Sequence, residues 1–135
     1  MRTQHQRITI IKLSKPVRCE LNEEMKWLGS TLGLFNLRDR ESSCYRIFIE
    51  LLKSSRQDKE LSSDNIAFRL HLSRGTVVHH LNKLIDSGIV VADRNRYLLR
   101  VGNLEILVDE IRKDVERAIS DLKDVAKRID AELEL

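Results

Sequence analysis

The segment LSRGTVVHHLNKLIDSGIVV, residues 72–91, decides how the rest of the chain is read. Ser73 is a residue type that caps helix N-termini. Gly88 stands where a helix would end in a left-handed turn. At about 100° per residue, Val77, Leu81, Leu84 and Gly88 share one side, with Ile85 beside them. The opposite side holds Gly75, His79, Asn82 and Asp86, flanked by Thr76 and Lys83, with Arg74 in the first turn. The expected helix covers residues 73–87. It buries the apolar side and turns outward a polar side whose first two turns carry no acid.

The neighbouring segments give this helix a setting. Upstream, Leu61 precedes SSDNIAFRL, which reads as a short helix capped by Ser62 or Ser63, with Ile66, Ala67 and Leu70 inward. His71 and Leu72 then form a tight turn. A short helix, a turn and a second helix make a helix-turn-helix. Downstream, IVVADRNRYLLR reads as two short strands, 89–91 and 97–100, around a polar tip bearing Arg94 and Arg96. Small and hydrogen-bonding residues at an exposed helix N-terminus suit a DNA major groove. Gly75 and Thr76 let the backbone come close. Arg74, His79 and Asn82 present donors or acceptors to base edges, and the N-terminal amides attract phosphate. Arginines on the hairpin tip reach phosphates or the minor groove.

The stretch LSRGTVVHHLNKLIDSGIV resembles the recognition region of ArsR-type winged-helix transcription regulators, whose pattern is roughly L-S-x-S-T-V-S-x-H-L-x-x-L-x-x-A-G-L-V. The resemblance covers residues 62–100. With WLGSTLGLF upstream and a long final helix, the arrangement is similar to the archaeal branch of that family. It implies that Arg74, Gly75, Val78 and His79 face DNA. Val78 stands where serine is usual, which makes one contact apolar, toward a thymine methyl. Gly75 replaces a side chain that often makes a contact. The expected DNA-facing set is Ser73, Arg74, Gly75, Thr76, Val78, His79, Asn82, Lys83, Arg94 and Arg96, and the expected partner is double-stranded DNA. Metal sensing, known in the family, does not carry over. One family site needs histidines on the last helix, and residues 103–135 have neither histidine nor cysteine. Another needs Cys-x-Cys near a DNA-binding helix, and SSDNIAFRLHLSR has no cysteine. No metal and no cofactor are expected. His80, on the border of the packed side, reads as a helix-packing histidine, and His79 as a DNA contact.

After Asn103, a capping residue type, apolar positions recur at Leu104, Val108, Ile111, Val115, Ala118, Leu122, Val125 and Ile129. The alternation of four and three is the coiled-coil period. A helix of about 30 residues reaches roughly 45 Å, longer than a domain this small needs. The stripe is therefore expected to dimerise with its twin. A two-fold pair would set two recognition helices about one DNA turn apart on a pseudo-palindromic site.

The remaining chain supplies a basic strand over 7–13 (RITIIKL), stopped by Pro16, whose pairing stays open. A helix over 22–34 follows, capped by Asn22 and ended by Gly33, with Leu21, Met25, Leu28, Leu32 and Phe35 as its stripe. It is expected to pack on the last helix. After the polar break NLRDRESS, Ser42 or Ser43 caps a helix with Cys44, Ile47, Phe48, Leu51 and Leu52 inward. The division is then a basic arm (1–20), a winged helix-turn-helix domain (21–102) and a dimerisation helix (103–135). The fold class is mainly α with a small β-hairpin.

Charge follows this division. Residues 1–40 hold 8 basic and 4 acidic side chains, and residues 103–135 hold 6 and 10. A basic body suits a polyanion, and the acidic helix keeps off it. No run of about 18 apolar residues is present, as a membrane span requires, and no secretory signal pattern opens the chain. With two cysteines and no CxxC spacing, a cytoplasmic setting is expected. Cys44 reads as a small apolar residue packed in its helix, and thiol sensing at Cys19, which sits among charges, is the minor reading of that residue. There is no phosphate loop, nucleophile elbow or metal-ligand spacing, so no catalytic residue is expected. A sequence-specific, homodimeric transcription regulator is the first reading, with the transcription machinery as a further candidate partner. A general DNA-binding factor with weak sequence preference and a protein-interaction module are the alternatives.

Overall fold

Two helices, α2 (Ser43–Ser55) and α4 (Arg74–Asp86), carry the core. Ile47, Phe48 and Leu51 lie on one side of α2 at the three-to-four spacing of a helix face, and Val77, Leu81 and Leu84 face them from α4. Cys44 joins this core as a buried residue. Ile66 of α3 (Ser63–Leu70) closes one flank. The other elements are α1 (Leu21–Thr31), β1 (Leu61–Ser62), β2 (Val90–Asp93), β3 (Arg96–Leu99) and α5 (Leu104–Leu133). The structure, a computed structural model, describes residues 5–18, 20–35 and 42–135. Cys19 and residues 36–41 of the polar break lie outside the described residues.

Local chemistry explains most helix ends. Ser62 accepts from the Asn65 amide at 3.0 Å, and Asn65 Oδ1 accepts from the Ser62 amide at 3.2 Å. This reciprocal box satisfies two otherwise open donors. Ser73 accepts from the Thr76 amide at 3.1 Å, and Asn103 from the Ile106 amide at 2.9 Å. Ser42 precedes α2 at φ 51° and makes no side-chain cap bond, and Asn22 lies inside α1, whose N-cap is Glu20. Between α3 and α4 the chain reverses through His71 at φ 56°. The α3 terminus is held from outside, because Arg46 of α2 donates to the Leu70 carbonyl at 2.7 Å. The start of α4 is thereby fixed relative to the core.

The sheet has three antiparallel strands in the order β1-β3-β2. Asp93 pairs with Arg96, so the wing turns on Arg94 and Asn95 alone. Both have positive φ, 51° and 63°, which matches the right-handed twist of the flanking strands. The third strand, β1, was not foreseen. It is two residues long, too short for a period, and pairs Leu61 with Tyr97 and Ser62 with Arg96.

Residues 7–13 form no strand. They cross two helix ends. The Arg7 amide donates to the Asp86 carbonyl at 2.9 Å and the Ile11 amide to the Thr31 carbonyl at 2.8 Å. The last carbonyls of a helix lack intrahelical donors, and here they take the place of a neighbouring strand. Likewise α1 ends on this segment and on α2, where Phe35 stacks on Tyr45 at 4.6 Å. It makes no extended interface with α5, against the expectation that the two pack together.

The eight-residue stripe expected on α5 divides. Ile111 is 5% exposed and belongs to the chain's own core, with Leu107 beside it and Leu104 and Val115 partly covered. The inward side is centred on Leu107, Ile111 and Asp114. Val108, Ala118, Leu122, Val125 and Ile129 stay exposed, and every residue from Glu116 onward is exposed. The first part of the heptad stripe is covered by the chain itself, and the second part is exposed.

Candidate nucleic-acid interface

The outward side of α4 is built by its cap and its spacing. Ser73 Oγ takes the Thr76 amide, which leaves the Arg74 and Gly75 amides at the positive end of the helix dipole. The Ser73 hydroxyl also donates to Thr76 Oγ1 at 2.8 Å, which orients both side chains. Ser73, Arg74, Gly75, His79, Asn82 and Lys83 are exposed, and Thr76 and Val78 are half-buried. Nothing lies within 4 Å of a Cβ placed on Gly75, so the backbone there is open to an approaching surface. His80 is turned to the interior at 8% exposure, and its ring meets that of His79 edge-on at 5.2 Å.

Arg74 has a partner that the sequence reading missed. Its Nε lies 3.5 Å from Asp64 Oδ1, with both side chains about three-quarters exposed. Ion pairs this exposed contribute at most about 1 kcal/mol, so Asp64 holds Arg74 only weakly. On the wing, Arg94 and Arg96 are exposed. Arg94 sits on the turn and Arg96 opens β3, so both arginines lie at the end of the hairpin.

Behind the wing lies a cluster that links four parts of the chain. Arg100, just after β3, makes a two-pronged contact with Asp114 of α5, at 2.5 and 3.2 Å. Arg117 also reaches Asp114, and Glu110 lies 3.5 Å from Arg100. The Arg100 bond holds the Asp114 carboxyl below the usual carboxylate range. Such a group stabilises the fold above the ordinary Asp value near 3.8, and the contribution is lost as pH falls through its native value. Gln6 completes the cluster by donating to Asp114 at 2.9 Å and to the Ser87 carbonyl at 3.0 Å. The one sequence signal for this cluster was an acid, Asp114, on the inward side of a helix.

Among the described residues, no group of three or more histidine, cysteine or acidic side chains could hold a metal ion. No described helix is long and apolar enough to cross a membrane.

A capped recognition helix, a turn behind it and a hairpin beside it define a winged helix-turn-helix domain. Residues 49–91, from within α2 to the start of β2, match the family model described as "Bacterial regulatory protein, arsR family". No curated protein matches the chain. The match supports an ArsR-type helix-turn-helix and, with it, a DNA-binding regulator. It starts further upstream than the resemblance over 62–100 and stops before the wing turn.

Proposed function

We propose that the chain is a sequence-specific DNA-binding transcription regulator that works as a homodimer. The observation that carries this reading is the open polar side of α4, with Arg74, Gly75, His79 and Asn82 outward and no acid in its first two turns. Ser73, Thr76 and Lys83 flank that side and contact the phosphates on either edge of the groove. Val78 supplies an apolar contact, and the wing arginines Arg94 and Arg96 reach the adjacent backbone. The exposed part of the α5 stripe, Val108, Ala118, Leu122, Val125 and Ile129, supports pairing with a second copy. Leu104, Ile111 and Val115 support it from beneath by holding α5 to the body.

Selection of bound fragments from genomic DNA by the purified chain tests this reading. A short palindromic consensus is the expected result. Enrichment without a consensus would replace it with a general factor of weak preference. No enrichment would replace it with a protein-interaction role for the winged domain.

A further inference from the structure

The N-terminal segment has no strand partner, and its basic residues alone would suggest a loose arm reaching for phosphate. Its contacts are of another kind. The Gln6 amide nitrogen donates both to the Ser87 carbonyl, at the end of the recognition helix, and to Asp114 of α5. One residue later, the Arg7 amide donates to the Asp86 carbonyl at 2.9 Å. Gly88 makes room for this. It has φ +83°, and a Cβ there would stand 2.3 Å from Gln6 Nε2. The same Asp114 takes the fork of Arg100, whose own amide donates to the Ile89 carbonyl at 2.9 Å. The arm, the end of α4, the base of the wing and the long helix therefore meet at one buried carboxylate.

We propose that Gln6 and Asp114 form a strap that fixes the angle between the recognition helix and α5. The strap thereby sets the half-site spacing that the dimer accepts. This inference rests on the homodimeric DNA-binding reading above, but its mechanical part does not need it. Without the strap, α4 still folds, because its inward side is held by the core. What is lost is the tie between its last turn and α5, so rocking of α4 on the shared core is no longer limited at that end. Gln6 and Asp114 are positioning residues here, and neither touches DNA. An angle error is magnified along a helix of 30 residues, so a small hinge motion changes the distance between the two recognition helices of a dimer.

Two measurements on the full chain test the strap. The first places spin labels at Asn82→Cys and Ser120→Cys, in a Cys19→Ser, Cys44→Ala background diluted with unlabelled protein. A narrow distance distribution is expected for the parent. A clearly broader one is expected for Gln6→Leu, which leaves the Arg100–Asp114 pair in place and removes only an exposed amide, and for Asp114→Asn. An unchanged distribution in Gln6→Leu overturns the strap. The second measures affinity for duplexes that carry the selected half-sites at varied spacing. The parent should prefer one spacing by about tenfold, and Gln6→Leu should reduce that preference to about threefold or less. A uniform loss at all spacings, or none, overturns the spacing role even if the labels spread. If the parent binds no DNA, the proposed function fails, while the label distances still decide the strap.

Discussion

Helices α4 and α5 each bury one side in the same core and leave another open, and the open sides are opposites. On α4 the open side carries Arg74, Gly75, His79 and Asn82. On α5 it carries Leu122, Val125 and Ile129, at 65, 46 and 50% exposure. A polar side rests in water at little cost, so nothing in its energetics announces a partner. The residue types and their place at a helix N-terminus have to do so. An apolar stripe in water is unfavourable in itself, so its spacing alone points to a missing surface. The first open side asks what chemistry it could recognise, and the second asks only what will cover it.

Breaking α5 should have the largest effects, and they should differ along its length. Ile111→Ala removes a buried core contact and should cost about 2–5 kcal/mol of folding stability by chemical denaturation. Leu122→Ala should change the stability of the isolated protomer little, because Leu122 touches water there. Equal costs in the two variants would mean that the buried and free parts of the helix are not distinct. Next in size, Leu122→Lys should weaken self-association by at least about 2 kcal/mol, the scale of a central interface residue. Light scattering should then report monomers with unchanged helix content. A persistent dimer would move the interface elsewhere.

Legibility in the sequence follows the range of each interaction. The α4 cap at Ser73, the α3 cap at Ser62 or Ser63 and the end at Gly88 all lie within a few residues, so local patterning found them, though not the reciprocal bond that Asn65 adds. The wing was visible as two strands, but its turn at Arg94–Asn95 was not, since neither residue is glycine. The RITIIKL segment was read as a strand from its β-branched residues. A strand needs an edge, and the segment instead meets the ends of α1 and α4, which no local pattern encodes. The α5 period revealed an apolar stripe without saying that the chain's own core covers Ile111. Gln6 and Asp114 stand 108 residues apart, and composition offers no trace of such a bond.

On α4 the effects should be smaller and visible only with DNA. Arg74→Ala should weaken binding to the selected site by about 1–3 kcal/mol if its guanidinium reads a base. Its loss on random DNA should be clearly less. Equal losses would make Arg74 a phosphate contact and leave base reading to His79 and Asn82. Arg94→Ala and Arg96→Ala should weaken all sequences alike and flatten the salt dependence by about one unit each. An unchanged slope would take the wing out of the interface.

Gly75→Ala should give the smallest effect and the sharpest contrast between the two helices. Within the protein a methyl group there meets open space, and replacing glycine in a helix stabilises by up to about 1 kcal/mol. Folding stability should therefore rise slightly. Against a groove the same methyl stands between the helix backbone and the DNA, so binding should fall. No internal packing change gives that pair of opposite signs, because the residue packs against nothing. If titration showed affinity unchanged while denaturation showed the gain, the first turn of α4 would not approach DNA closely. The contact would then have to centre on His79 and Asn82, one turn further along the same side.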